Sequence, residues 1–352
     1  MLPLLLLMMR NGGVSSYSKQ RLFLSIAIPV IFSVACLAIW YWDRDLTRKR
    51  QEVDNEILER LDDITYQLRT LPPPTTMPQP PALRDLYLNT VRDAITGIAF
   101  RTTERSFIPT PNNDNFYKAP LGQLNRLSVP TRSVGGDWPV FGLTMIGNAR
   151  MDNIRTLLER VDREHISGDF MECGVWRGGG SIFARAVIST SSVKRDVWLA
   201  DSFEGLPKPR KSALSKDDAF WSGMSYLRVS LEDVRTNIEA FGLLDSSVHF
   251  CKGFFVDSLP TCRPERIAVL RMDGDMYEST LDQLYNLFPR VSVGGFIIVD
   301  DWTIEYCKRA ITDFWNWHGL VVTPVKIDDS SMYWQKTSDP PLKLEKYQQL
   351  KS

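Results

Sequence analysis

The pattern of apolar and polar positions changes character twice along the chain. Residues 22–42 form an uncharged apolar run, interrupted only by Pro29 and closed by Trp40, Tyr41 and Trp42. A helix of that length spans a bilayer, and aromatic side chains at its end suit the membrane interface. No small-x-small cleavage site follows, which favours a transmembrane signal anchor over a removable signal peptide. Residues 1–21 form an N-terminal tail ahead of it. In residues 43–71 charges dominate, yet Ile57, Leu61, Ile64, Leu68 and Leu71 recur at alternating spacings of four and three. That seam predicts a helical stalk, either pairing two chains as a homodimer or standing as a solitary amphipathic helix, which two to three heptads barely separate. Residues 72–82 are rich in proline and predict a stiff, extended spacer.

From residue 83 the periodicity is that of a folded domain, expected over residues 83–336, with 337–352 left as a tail. Leu83, Leu86, Tyr87, Val91, Ile95 and Ile98 have helical spacing. Residues 101–136 are polar, with prolines and asparagines, and predict a covering loop. A helix follows over 151–165. Strand and helix signals then alternate: a strand at 169–175, a helix from Gly179, a strand at 197–201, a helix at 231–241, strands at 248–252 and 267–272, a helix from Tyr277, a strand at 296–300 and a helix at 305–317. The strands are continuously apolar, so the pattern predicts an α/β fold with a doubly wound, largely parallel sheet. Residues 320–327 and 331–335 predict a closing hairpin that turns on Asp328, Asp329 and Ser330.

Composition adds exclusions. Lys+Arg and Asp+Glu are 42 each, so bulk charge gives no case for a nucleic-acid partner. Five cysteines are too few and too dispersed for a disulfide scaffold or a zinc site, and Cys173, Cys251, Cys262 and Cys307 read as small buried hydrophobes. There is no Asn-x-Ser/Thr acceptor with a permitted middle residue.

The chemistry concentrates where strands end, as ligand sites do in open α/β sheets. Glu172 is followed by Gly174, Gly178, Gly179 and Ser181, a turn through which backbone can approach a cofactor. Its spacing, Glu-x-Gly-x-x-x-Gly, is not the dinucleotide pattern and implies no pyrophosphate cradle. A carboxylate here can receive the amino group of a methionine moiety. Asp201, followed by Ser202 and Phe203, is placed to accept ribose hydroxyls, or else to cap a helix. Asp273 follows one buried strand, and Asp300 and Asp301 follow another. Three such carboxylates repel unless a cation joins them, and oxygen ligands favour Mg2+ or Mn2+. Asp273 and Asp275 are the catalytic candidates; Lys216, Asp217 and Asp218 are further candidates for the base. His165, His249 and His318 read as structural.

These residues carry a resemblance. Asp137-Trp138-Pro139, Thr144-Met145-Ile146-Gly147, Glu172-Cys173-Gly174-Val175-Trp176-Arg177-Gly178-Gly179, Ala200-Asp201-Ser202-Phe203, Leu270-Arg271-Met272-Asp273-Gly274-Asp275 and Val299-Asp300-Asp301 resemble the macrocin O-methyltransferase family over about residues 84–335. The resemblance implies a seven-stranded Rossmann-like methyltransferase sheet, S-adenosylmethionine and Mg2+. It also implies cofactor contacts at Glu172 and Asp201, metal ligands at Asp273, Asp300 and Asp301, and a sugar or glycan hydroxyl as acceptor. A divalent cation beside such a hydroxyl lowers its pKa. The anchor, stalk and spacer lie outside the resemblance and predict a secretory-pathway membrane, the Golgi, with a luminal catalytic domain. Basic residues flank both ends of the apolar run, so charge alone does not set the orientation. Two other readings compete. One is a membrane-anchored glycosyltransferase using Asp273-x-Asp275 for its metal; the other is a non-catalytic scaffold of methyltransferase fold.

Overall fold

The computed structural model describes residues 80–107, 124–210, 222 and 224–351. The apolar run 22–42, the stalk and residues 72–79 of the proline spacer lie outside them. So do Lys216, Asp217 and Asp218. Among the described residues no helix is long and apolar enough to cross a membrane.

The described chain opens with α1 (Pro80–Ile95), β1 (Arg105–Phe107), β2 (Asn125–Arg126), α2 (Val129–Ser133) and β3 (Trp138–Pro139). It continues through α3 (Asn148–Arg163), β4 (Asp169–Cys173), α4 (Gly179–Ser189), β5 (Val197–Asp201) and α5 (Leu231–Ala240). Next come β6 (Val248–Lys252), α6 (Phe255–Ser258), β7 (Ile267–Met272), α7 (Tyr277–Leu287) and β8 (Val291–Val299). The last elements are α8 (Glu305–His318), β9 (Val325–Lys326), β10 (Met332–Gln335) and α9 (Leu344–Lys351).

Seven strands form one sheet in the order β6-β5-β4-β7-β8-β10-β9. β4 pairs in parallel with both β5 and β7, so the chain winds outward from β4 in both directions. That reversal of strand order opens a crevice beyond the carboxyl ends of these strands. β7 is buried at all six positions, which explains its uninterrupted apolar sequence apart from Arg271. The closing hairpin is present but shorter than its sequence suggests. β10 inserts antiparallel between β8 and β9, and Asp328 Oδ1 accepts from the backbone of Ser330 and Ser331, 2.8 Å each, to make the turn.

Four expectations need correction. Part of the expected covering loop is a three-stranded antiparallel sheet, β2-β1-β3, with α2 beside it. Strands of two or three residues carry no readable periodicity; buried polar groups hold them instead. β8 starts at Val291 rather than at residue 296: it runs through Gly294 and Gly295, with an irregular register against β7. Glycine read as punctuation is here a bulge inside a strand. The tail contains α9, whose Tyr347 stacks on Tyr285 at 4.6 Å and donates to Asp282 at 2.8 Å. Finally, Cys251 and Cys262 are not separate hydrophobes but a disulfide, with Cα atoms 5.4 Å apart. Cys173 and Cys307 are buried free thiols.

Candidate active site

Glu172 lies in β4, 2% exposed, and the turn after it folds back over the sheet edge. Gly174 has φ +82, and a Cβ there would collide with the Asp273 carbonyl, so only glycine lets β4 and β7 end this close. Gly178 caps α4 at φ +87, and Gly179 N–H donates to Leu143 O at 3.0 Å. The Glu172 carboxylate accepts from Ser181 Oγ and, at 2.8 Å, from Arg271 Nη1. Burial pushes its pKa up to about 7, with Arg271 pulling the other way.

Asp201 closes β5 and pins the same turn. Oδ2 accepts from Val175 N at 2.8 Å and Trp176 N at 3.4 Å; Oδ1 accepts from Phe203 N at 2.8 Å and Ser202 Oγ at 3.4 Å. Burial raises its pKa against these donors. Ser202 Oγ also donates to Gly205 O at 2.6 Å, and Phe203 sits at φ +56, so the segment after β5 is a tight, internally bonded turn.

The acids after β7 and β8 divide into two groups. Asp273, Asp275 and Asp301 offer carboxylate oxygens that all lie within 4.8 Å of one another. Asp275 N–H donates to Asp301 Oδ2 at 2.9 Å. Burial, and then the charges of Asp275, Asp273 and Asp300, drive the Asp301 carboxyl well above the usual range. Burial also raises Asp273, to about 6. Asp300 stands apart. It ion-pairs with Arg150 Nη1 and Arg271 Nη2, 2.6 Å each, and these guanidiniums overcome its burial and hold its carboxyl below the usual range. Asp275 therefore joins Asp273 and Asp301 in the carboxylate cluster, while Asp300, the other acid expected from the sequence, lies against Arg150 and Arg271. Arg271 is the hub: it touches Glu172, Asp273 and Asp300 at once, while Arg150 ties Asp300 to Asp328.

Glu172, Gly174, Val175, Trp176, Gly180, Arg271 and Asp273 line a cleft whose far wall is residues 143–146. The stretch leading into that wall, residues 140–142, is held from two sides. The Glu104 carboxylate, fully buried, accepts from Val140 N, Phe141 N and Gly142 N at 2.9, 3.1 and 2.8 Å. Arg177 Nη1 donates to Val140 O at 3.0 Å and Gly142 O at 2.8 Å, with its guanidinium 4.2 Å from the Trp176 ring. Tyr226 stacks on Trp138 at 5.0 Å and receives Trp176 Nε1–H at its own carbonyl, 3.0 Å.

No histidine lines this cleft. His249 pairs with Asp196 at 2.7 Å, and His318 Nδ1 lies 2.7 Å from Phe314 O. Sequence reasoning missed Arg271, Arg150 and Glu104. A charge inside the apolar strand 267–272 was a usable signal for Arg271. Nothing local marks Arg150, whose partner Asp300 is 150 positions away.

Comparison with known proteins agrees with this arrangement. A model of the macrocin-O-methyltransferase (TylF) family matches residues 84–336. The 8-demethyl-8-(2,3-dimethoxy-alpha-L-rhamnosyl)-tetracenomycin-C 4'-O-methyltransferase of Streptomyces olivaceus is 39% identical over 259 residues, 72% of this chain and 94% of that protein. The mycinamicin III 3''-O-methyltransferase of Micromonospora griseorubida is 41% identical over 212 residues, 59% of this chain and 84% of its own length. Among solved structures, the O-methyltransferase NovP superposes with a TM-score of 0.65 at 37% identity, covering 72% of this chain and all of that one. The glycosyltransferase alternative falls with these matches. The strand-end acids, the glycine turn and the sequence relatives converge: the chain belongs to the macrocin-O-methyltransferase family and is an O-methyltransferase whose family implies S-adenosylmethionine as methyl donor.

Proposed function

We propose that the protein transfers the methyl group of S-adenosylmethionine to a sugar or glycan hydroxyl with the help of a divalent cation. The observation that carries this reading is Asp273, which lines the cleft and also belongs to the three-carboxylate cluster. One residue thus joins the cofactor site to the acceptor site. The rhamnosyl group in the name of the relative from Streptomyces olivaceus supports a sugar-bearing acceptor.

In this mechanism Glu172 receives the amino group of the methionine moiety, directly or through water. Asp201 takes the ribose hydroxyls by giving up its two long bonds, those of 3.4 Å from Trp176 N and Ser202 Oγ, while the two of 2.8 Å keep the turn in place. Asp273, Asp275 and Asp301 fit Mg2+ or Mn2+: the donors are all oxygens, and a cation would relieve the repulsion that adds to burial in driving Asp301 up. When bound, such a cation lowers the pKa of an adjacent hydroxyl and helps to aim it. Asp300 supports the site through Arg271 rather than as a ligand. Asp275 is assigned to accept the proton of the acceptor hydroxyl.

Residues 22–42 are read as the membrane anchor, 43–71 as a stalk that pairs two chains and 72–82 as a spacer, setting the catalytic domain in the lumen of the Golgi. Two measurements test the reaction. Calorimetry should show S-adenosylmethionine binding that weakens at least about tenfold in Glu172→Ala, the loss of about 1.4 kcal/mol. Mass spectrometry of cellular glycans should show species lighter by one CH2 when the gene is removed. Unchanged binding in both Glu172→Ala and Asp201→Ala would refute the cofactor assignment, and an unchanged glycan profile would refute the acceptor class.

A further inference from the structure

Cys251 lies near the end of β6, the outermost parallel strand, and Cys262 in the turn leading to β7; a disulfide joins them across 11 positions. The bond closes a loop that contains α6 and Gly253, whose N–H donates to Asp201 O at 2.9 Å. The segment beyond β6 is thereby tied both to its own strand and to the end of β5. Neither cysteine lines the cofactor cleft. Cytosolic reductants keep such thiols reduced, whereas secretory compartments oxidise them.

We propose that Cys251–Cys262 is a structural disulfide installed by a protein disulfide donor, so that the methyltransferase domain faces the oxidising side of its membrane. Two thiols lose two protons and two electrons, the donor's disulfide takes them up and leaves as a dithiol, and the S–S bond forms by way of a mixed disulfide. The inference rests on the anchor reading only for the presence of a membrane; the bond itself does not depend on the acceptor or the metal. It sets the orientation that the basic residues on both sides of the apolar run leave open.

The test uses the full chain in a eukaryotic cell. Thiols are blocked with N-ethylmaleimide before lysis, sealed microsomes are isolated, and one portion is digested without reductant for peptide mass spectrometry. The expected result is a linked peptide pair holding Cys251 and Cys262, with Cys173 and Cys307 unlinked. A second portion, treated with protease, should keep the domain intact until detergent is added. N-ethylmaleimide on Cys251 and Cys262 overturns the proposal, and so does digestion of the domain in sealed vesicles. Because neither readout involves methyl transfer, these outcomes are separable from failure of the proposed reaction.

Discussion

Replacing Arg271 by methionine keeps an unbranched apolar stem in β7 and removes the guanidinium, and with it one charge, from the middle of the site. Arg271 is 3% exposed and bridges three carboxylates. Breaking a buried ion pair by deleting one partner costs about 3–5 kcal/mol, because the other partner stays buried and uncompensated. Here Asp300 keeps Arg150, and the Asp273 side chain is 27% exposed, so the burden falls mainly on Glu172. That places the expected loss near the lower bound, about 3 kcal/mol. For a domain of this size the corresponding fall in Tm is about 6–12 °C. Arg271→Lys should lie between, since a single ammonium cannot span all three acids. The penalty should also depend on pH. Glu172 is raised from its ordinary 4.5 to about 7 in the folded protein, so stability falls as pH rises across that window. Without Arg271 the ionised form is still less tolerated, so the variant should lose more at pH 7.5 than at pH 5. Urea unfolding of wild type and variants at both pH values, in EDTA, measures this. A loss below about 1 kcal/mol, or an equal loss at both pH values, would refute the account of Arg271 as the charge that balances these acids.

Chelation provides the next prediction: EDTA should abolish methyl transfer, added Mg2+ should restore it, and Asp301→Asn should lose at least about a hundredfold in kcat. Full turnover in chelator rules out metal assistance. A third prediction concerns Glu104. Glu104→Ala removes the acceptor of three neighbouring amides, and at about 1.5–3 kcal/mol for each hydrogen bond to a charged group even partial relaxation should cost 3 kcal/mol or more. Thermal unfolding checks it, and a change in Tm below about 3 °C would contradict it.

The parallel sheet was legible because β4, β5, β7 and β8 are largely apolar runs with acids at or just beyond their ends, and because the turn after Glu172 is rich in glycine. What stayed hidden has a common physical cause, dependence on partners distant in sequence. β1 pairs with segments 19 to 33 positions away through strands too short to show alternation. Asp300 reads as a metal ligand from its neighbours Val299 and Asp301, and its ion pairs with Arg150 and Arg271 arise only in the fold. Asp275 carried half of an Asp-x-Asp signal but acquires its place beside Asp301 only through the left-handed turn at φ +55. The Cys251–Cys262 pairing depends on how α6 folds back, which spacing alone does not fix.

The two-sided grip on residues 140–142 bears on how such enzymes can be recombined. The amides of this stretch are held by Glu104, from the segment before β1, and its carbonyls by Arg177, from the glycine turn. The stretch leading into the far wall of the cleft is therefore shared property of the N-terminal cover and the sheet. A chimaera spliced between β3 and α3 would unite a cover from one parent with a turn from another, and its cleft would form only where both parents supply matching grips. Crossovers placed after α4 keep both grips within one parent and leave the acceptor-side half free to be exchanged.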